Sequence, residues 1–332
     1  MGDTVKEKLQ KIDLGEMQQF RNVSVFPLYS KSKAPTRHLV LKEAMAKGLI
    51  TISEVSESGH VPELKVVNNA DIPVLILDGE ELFGAKQNRV LNTTVLLKMK
   101  SVTIIPVSCT EQGRWTYHSE TFSESGIIMS PNVRRVKNRS VQESLRSFNE
   151  FRSDQGAVWG GIHEQASAMS VDSPTYAMRD IHERVKDDIG SYVEHFPCLE
   201  GQCGLLVAIE GAIAGLDLIA YSPAYKLLHE KLAKSYAMDA LLKGSNKTRE
   251  TDKAVAQTFL DDISDCDVSE YPSVGHGRDV RFEGRGMFGS ALMYRGGLVH
   301  LAIFPGDGHV QQEDGGMQRY QRRANHRRRP LH

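Results

Sequence analysis

Over the first 110 residues the hydrophobic positions either alternate with polar ones or run unbroken for a few places, the two patterns that strands carry. Residues 22–29 (NVSVFPLY) alternate and are β-branched, and residues 49–55 and 63–67 repeat this around a Ser/Gly turn. Residues 72–78 (IPVLILD) form a continuous apolar run of buried-strand type, and residues 90–97 and 101–109 (SVTIIPVSC) are two further strands. Residues 39–47 read as a short helix stopped by Gly48. Residues 1–19 read as an amphipathic helix or arm.

The period then changes. Across residues 132–152, Val133, Val136, Val141, Leu145 and Phe148 recur at helical spacing. Ser153-Asp154-Gln155-Gly156 breaks that helix, and another restarts near Ala157. Ser173-Pro174 sets up a helical stretch over 176–195, ended by Pro197. Residues 204–220 (GLLVAIEGAIAGLDLIA) predict a hairpin turning at Glu210-Gly211, since glycine takes the positive φ a tight turn needs. Ser222-Pro223 opens a long helix to about Leu242. Residues 280–283, 290–294 and 298–304 are late strands. Strands, then helices, then strands predict an α+β fold and argue against alternating βαβ units. Residues 20–305 form one α+β domain on this reading: strand-rich over 20–125, helical over 132–196, and hairpin–helix–hairpin over 203–305.

Composition agrees with a globular chain of 332 residues, 40% hydrophobic and 25% charged, and a net charge of -1 gives no support to nucleic-acid binding by the whole chain. The charge is unevenly placed. Residues 318–332 hold Arg319, Arg322, Arg323, Arg327, Arg328 and Arg329 and no acid, leaving 35 basic against 42 acidic residues before them. Residues 306–332 read as a disordered Arg-rich tail, with a phosphate-gripping role as the alternative. No signal peptide and no run of eighteen apolar residues is present, so the expectation is a cytoplasmic protein with reduced cysteines and no membrane partner.

Three motifs are set aside. Gly284-x-Gly286-x-x-Gly289 has the letters of a dinucleotide loop, but a hairpin follows it where the mechanism needs a helix. His195, Cys198 and Cys203 are too loosely spaced for structural zinc, so no metal and no cofactor is expected. The acidic stretch Asp180, His182, Glu183, Asp187, Asp188 reads as a solvated helix face.

The segments that carry candidate chemistry are DGEELFGAKQNRVLNTT after one core strand and PVSCTEQGRW at the end of another. Two core strands delivering dense mixed polar groups suit a ligand cleft, the alternative being an exposed hairpin loop with ordinary charge pairs. Arg89 and Arg114 offer forked donors for phosphate or carboxylate, Lys86 a point charge, and Trp115 a face for a base. Gln87, Asn88, Asn92, Ser108 and Gln112 add hydrogen-bonding groups. Glu80, Glu81 and Glu111 are candidate general acids or bases. Cys109 is a candidate nucleophile if a neighbouring cation lowers its pKa, and otherwise a core residue. Asp154 and Gln155, with Ser153 and Trp159, form a second cluster at a helix break that would close over the same cleft.

These segments resemble a known family. VPELKVVN, DIPVLILDGEELFGAKQNRVLNTTVL, IPVSCTEQGRW, the Ser153-Asp154-Gln155 and Trp159 cluster, and the GLLVAIEGAIAGLDL and SPAYKLLHEKLAKSYAMDALL stretches are similar to the domain family named for its association with ADP-ribosylglycohydrolases and rhodanese-phosphatase proteins. The resemblance covers about residues 20–305. It implies a link to ADP-ribose or NAD metabolism and carries no established reaction. Two functional expectations follow: binding, with or without hydrolysis, of an ADP-ribose- or NAD-related nucleotide between residues 78 and 115, or a non-catalytic interaction module working with a separate enzyme.

Overall fold

The computed structural model describes residues 2–56, 62–244, 249 and 251–306. The Arg-rich stretch over 318–332 lies outside the described residues. The chain opens with α1 (Gly2–Leu9), β1 (Ile12–Leu14), β2 (Gln18–Phe20), β3 (Val23–Ser30), β4 (Leu39–Val40), α2 (Leu41–Ala46), β5 (Ile50–Glu54) and β6 (Glu63–Asn68). Then come β7 (Val74–Ile76), β8 (Glu80–Gly84), β9 (Arg89–Leu91), β10 (Val95–Leu97), β11 (Ser101–Cys109) and β12 (Phe122–Ile128). The helical middle is α3 (Pro131–Phe148), α4 (Gln155–Ala168), α5 (Met178–Arg184) and α6 (Lys186–His195). The last part comprises β13 (Gly204–Ile209), β14 (Ala212–Ile219), α7 (Ser222–Lys243), α8 (Lys253–Asp262), β15 (Asp267–Pro272), β16 (Arg278–Gly284), β17 (Met287–Tyr294) and β18 (Gly297–Pro305). This is an α+β fold.

Among the described residues the strands form three sheets. A nine-stranded antiparallel sheet runs β1-β3-β13-β14-β18-β17-β16-β15, with β2 beside β3. Both of its faces are covered, which explains why β13 is apolar throughout and β18 is apolar but for His300. Leu205, Val207 and Ile209 point into the core shared with α3, α6 and α7. Leu206 between them joins Val5, Leu9, Phe259 and Leu260 of α1 and α8 on the other side. A six-stranded sheet runs β12-β8-β9-β11-β6-β5, and its two edge strands, β12 and β5, approach each other as it curls. A small sheet, β10-β7-β4, packs beside it.

Between the two large sheets lies α3, and its buried face is charged. Arg134, Lys137, Asn138 and Gln142 are buried with Val133, Val141 and Leu145, whereas Phe148 on the expected apolar face is 73% exposed. Arg134 donates from both terminal nitrogens to Asp217 of β14 at 2.9 Å and sits 3.5 Å from Asp78 through Nε. Lys137 pairs with Asp78 and donates to the Leu91 carbonyl at 2.8 Å. Tyr236 donates to Asp217 at 2.8 Å, and Arg281 holds Asp279 and Asn138. Buried ions survive only when paired and hydrogen-bonded, and here the pairs join the two sheets through α3. Gly79 has φ +75°, and a Cβ there would meet the Arg134 side chain at 2.9 Å, so this turn requires glycine.

The expected single strand over 90–97 is two, β9 and β10, in different sheets. The intervening Asn92-Thr93-Thr94 is pulled out of line by distant partners. Asn92 donates to the Phe151 carbonyl at 3.0 Å, Thr93 to Asp279 at 2.6 Å, and Thr94 bonds the His300 ring at 2.8 Å. The helix expected over 176–195 is interrupted at Val185, between α5 and α6. Strands β8, β12 and β15 and helix α8 had no expectation. The Gly284-x-Gly286-x-x-Gly289 letters fall on the β16–β17 hairpin. No helix among the described residues is long and apolar enough to cross a membrane.

Candidate functional site

The two polar segments do fold against each other. Glu80, Glu81, Lys86, Gln87, Asn88, Arg89, Asn92, Ser108, Cys109 and Glu111 are all buried. The exposed-hairpin alternative therefore does not describe this region. Arg114 fastens the segments together. It donates to Glu111 at 2.7 and 2.9 Å, to the carbonyls of Ala85 and Thr116 at 2.7 and 2.9 Å, and to Asn88 Oδ1 at 3.1 Å. The Thr110 amide donates to the Asn88 carbonyl at 3.0 Å. The guanidinium fork that suits a phosphate is thus spent on the protein's own acceptors. Lys86 Nζ lies 5.5 Å from the Trp115 ring and 4.9 Å from the Tyr117 ring. Gln112 and Trp115 face solvent.

The candidate acids are differently placed. Glu80 accepts from the Leu77 amide at 3.0 Å and pairs at 2.5 Å with Lys231, which also holds Glu124. Burial opposes ionisation of Glu111, but its bonds to Arg114, Thr175 and the Asn88 amide outweigh this and hold its carboxyl below the ordinary value. Glu81 accepts from Thr110 Oγ1 at 2.9 Å through Oε1 while its Oε2 lacks a partner, and burial pushes it up to about 7. Burial pushes the Cys109 thiol up to about 11 despite nearby Arg89, so it is protonated at neutral pH.

Strand β11 divides the region into two sides, because successive side chains alternate and directly paired ones share a face. Cys109 pairs with Arg89, and Arg89 with Leu82, on the inner face of the curled sheet. Ser108 pairs with Val90 on the outer face, toward α4. Toward α4, at the edge of β11 where its pairing with β6 ends, a cavity of about 180 Å³ is lined by Pro62, Asn92, Val107, Ser108, Arg152, Ser153 and Gln155. Ser108 Oγ donates to Asn92 Oδ1 at 2.6 Å and bonds Ser153 Oγ. Gln155 stands in for a missing strand neighbour, accepting from the Cys109 amide at 2.7 Å and donating to its carbonyl at 2.9 Å. Asp154 caps α4 by accepting from the Ala157 amide at 3.0 Å. The cavity thus brings together Asn92, Ser108 and Gln155, and leaves Glu80, Glu81, Lys86, Arg114 and Trp115 out of its lining.

Sequence reasoning passed over Arg152. It lies at the cavity, mostly exposed, with its nearest described carboxylate, Glu150, 3.7 Å away in solvent. Its place directly before the Ser153-Asp154-Gln155 break was the available signal. The Ser108 and Ser153 hydroxyls and the solvent-facing Arg152 guanidinium make the cavity suited to an anionic group with hydroxyl neighbours, although the N-terminus of α4 is already capped by the Asp154 carboxylate. Among the described residues no group of three or more His, Cys, Asp or Glu could hold a metal ion.

A family model for ARPP-1, the ARG and Rhodanese-Phosphatase-superfamily-associated Protein domain, matches residues 11–304. No curated protein and no solved structure matches the chain.

Proposed function

The chain belongs to the ARG and Rhodanese-Phosphatase-superfamily-associated Protein domain family, and from this premise we propose that it binds an ADP-ribose-related nucleotide without hydrolysing it. The observation that carries the reading is the cavity between β11 and the start of α4, with Arg152 at its edge and the Ser108 and Ser153 hydroxyls inside. At about 180 Å³ it falls below the roughly 300–1,000 Å³ of pockets that enclose a whole ligand. It therefore takes one end of the nucleotide, the ribose-phosphate, and leaves the rest outside. Arg152 supplies the charge-assisted bonds to phosphate. Binding without turnover fits the candidate catalysts: Glu80 and Glu111 are spent on cations of the fold, Glu81 is fully buried and outside the cavity lining, and Cys109 is a protonated thiol.

Calorimetry with ADP-ribose, NAD, ADP and AMP tests this. ADP-ribose should bind and be recovered unchanged. Arg152→Ala should weaken it about 10- to 100-fold, the worth of one charged hydrogen bond or two. Absence of heat from all four nucleotides, or equal affinity in the variant, overturns the reading. Copurification of a protein partner in that case would favour the interaction module instead. Release of a cleaved product would overturn the claim that the domain only binds.

A further inference from the structure

The inner face of the curled sheet holds a second polar group that the cavity does not use. In a flat sheet, Arg89 on β9 and Glu54 on β5 would stand three strand spacings apart, roughly 14 Å. Curling brings Arg89 Nη2 to 4.0 Å from Glu54 Oε1. Both side chains are at most 4% exposed. Arg89 Nη1 donates to Gln87 Oε1 at 2.8 Å. Its Nε and Nη2 have no hydrogen-bond partner, and neither does either oxygen of Glu54. Two donors thus confront two acceptors at a separation too wide for direct bonds, in a place where each unmade bond is costly. The strands carrying them are fixed by pairing on both β9 edges and by the β5–β6 ladder. Below them the inner face is apolar, with Leu64, Leu82, Leu91, Ile105 and Val107. The Trp115 ring, 46% exposed, lies 5.8 Å from the guanidinium carbon.

We propose that this end of the curled sheet is a binding site for a neutral planar group bearing a hydrogen-bond donor beside an acceptor, of which a primary carboxamide is the simplest. An anion would meet Arg89 well and set its lone pairs against those of Glu54. A cation would reverse the conflict. A carboxamide accepts from Arg89 through its oxygen, donates to Glu54 through its nitrogen, and lets an attached ring lie against Trp115. Mouths of curled and closed sheets are common ligand sites for this reason: the walls are rigid and the polar groups few. The site's polar groups, Arg89 and Glu54, are not part of the Ser108 cavity's lining, and it does not rest on the nucleotide reading.

Three isosteric probes separate the cases: benzamide, benzoate and benzamidine, titrated by calorimetry into the full chain. Benzamide should bind at least about tenfold more tightly than either ion, because each ion leaves one buried partner unsatisfied. Glu54→Gln supplies a donor where there were acceptors only, and should shift the benzoate-to-benzamide ratio toward benzoate by about tenfold. Trp115→Ala, a change at a solvent-facing ring, should weaken benzamide severalfold with an unchanged thermal melt. Arg152→Ala should leave benzamide binding unaltered, so failure here and failure of the nucleotide reading are distinguishable. If none of the three binds, or all bind alike, the gap between Arg89 and Glu54 is closed by water or by direct pairing and the proposal falls.

Discussion

Replacing Glu81 by glutamine isolates what burial does to one carboxyl. The side chain has 0% exposure. Burial pushes its acid up to about 7 from 4.5, against the hydroxyls of Thr110 and Ser125 and the charge of Arg179, while Glu111 adds to the rise. The folded value lies above the unfolded one, so the native state holds the proton more tightly. The stabilisation is full below about pH 4.5 and is lost as pH rises through 7. At 1.36 kcal/mol per unit, the loss between pH 5 and pH 8 is about 2.5 kcal/mol. Glutamine does not titrate and keeps an acceptor for Thr110 Oγ1, which now donates at 2.9 Å. Urea unfolding of both proteins at pH 5, 6, 7 and 8 measures the difference. Taking that difference cancels the other titrating groups, including His38 and His182, depressed by burial to about 4, and Asp239, raised by burial to about 6. Glu81→Gln should gain about 2–3 kcal/mol on the wild type between pH 5 and pH 8. A gap that stays flat over that range refutes the reasoning, because the carboxyl would then ionise as freely in the fold as in the unfolded chain.

Two further outcomes follow from the same packing. Asp217→Asn strips the buried partner from Arg134, which then has Asp78 alone at 3.5 Å, and should cost about 3–5 kcal/mol in urea unfolding. A loss under 1 kcal/mol would show that the α3 network is not a staple between the sheets. Cys109, buried and with its thiol raised to about 11, should resist iodoacetamide at pH 8, while the partly exposed Cys198 labels first. Mass spectrometry reads this directly, and equal labelling of the two would restore Cys109 as a reactive group.

Elements with one dominant local signal were legible in the sequence. Strand β11 spans Ser101–Cys109 as its alternating apolar run demanded, and α7 begins at Ser222-Pro223 and ends at Gly244 in the left-handed conformation. The β13–β14 hairpin turns at Glu210-Gly211, with φ of 54° and 83°. Elements decided by distant partners were not legible. The buried face of α3 reads polar because Asp78, Asp217 and Arg281 are supplied from positions dozens of residues away. Likewise β8 was hidden because Glu80 and Glu81 are poor strand residues until Lys231 and Thr110 reach them.

The candidate site shows the same division, and it explains why density of polar residues pointed to the right region and only partly to the right groups. A polar run after a core strand signals either an open cleft or a buried network, and local pattern does not distinguish the two. The separation from each partner does. Arg114 is satisfied within the two segments, by Glu111 and Thr116 of its own and Ala85 and Asn88 of the other, so it fastens them together. Asp78, Glu80 and Thr93 are satisfied by Lys137 of α3, Lys231 of α7 and Asp279 of β16, so they join elements distant in sequence. Arg152 at the cavity and the Arg89–Glu54 confrontation on the inner face are among the groups that neither kind of bond consumes. Ser108 and Cys109, adjacent in sequence, report on opposite sides of one strand, so ligand effects at the two places should be independent. Measured coupling between nucleotide and benzamide binding would show instead that β11 moves as a unit when either side is filled.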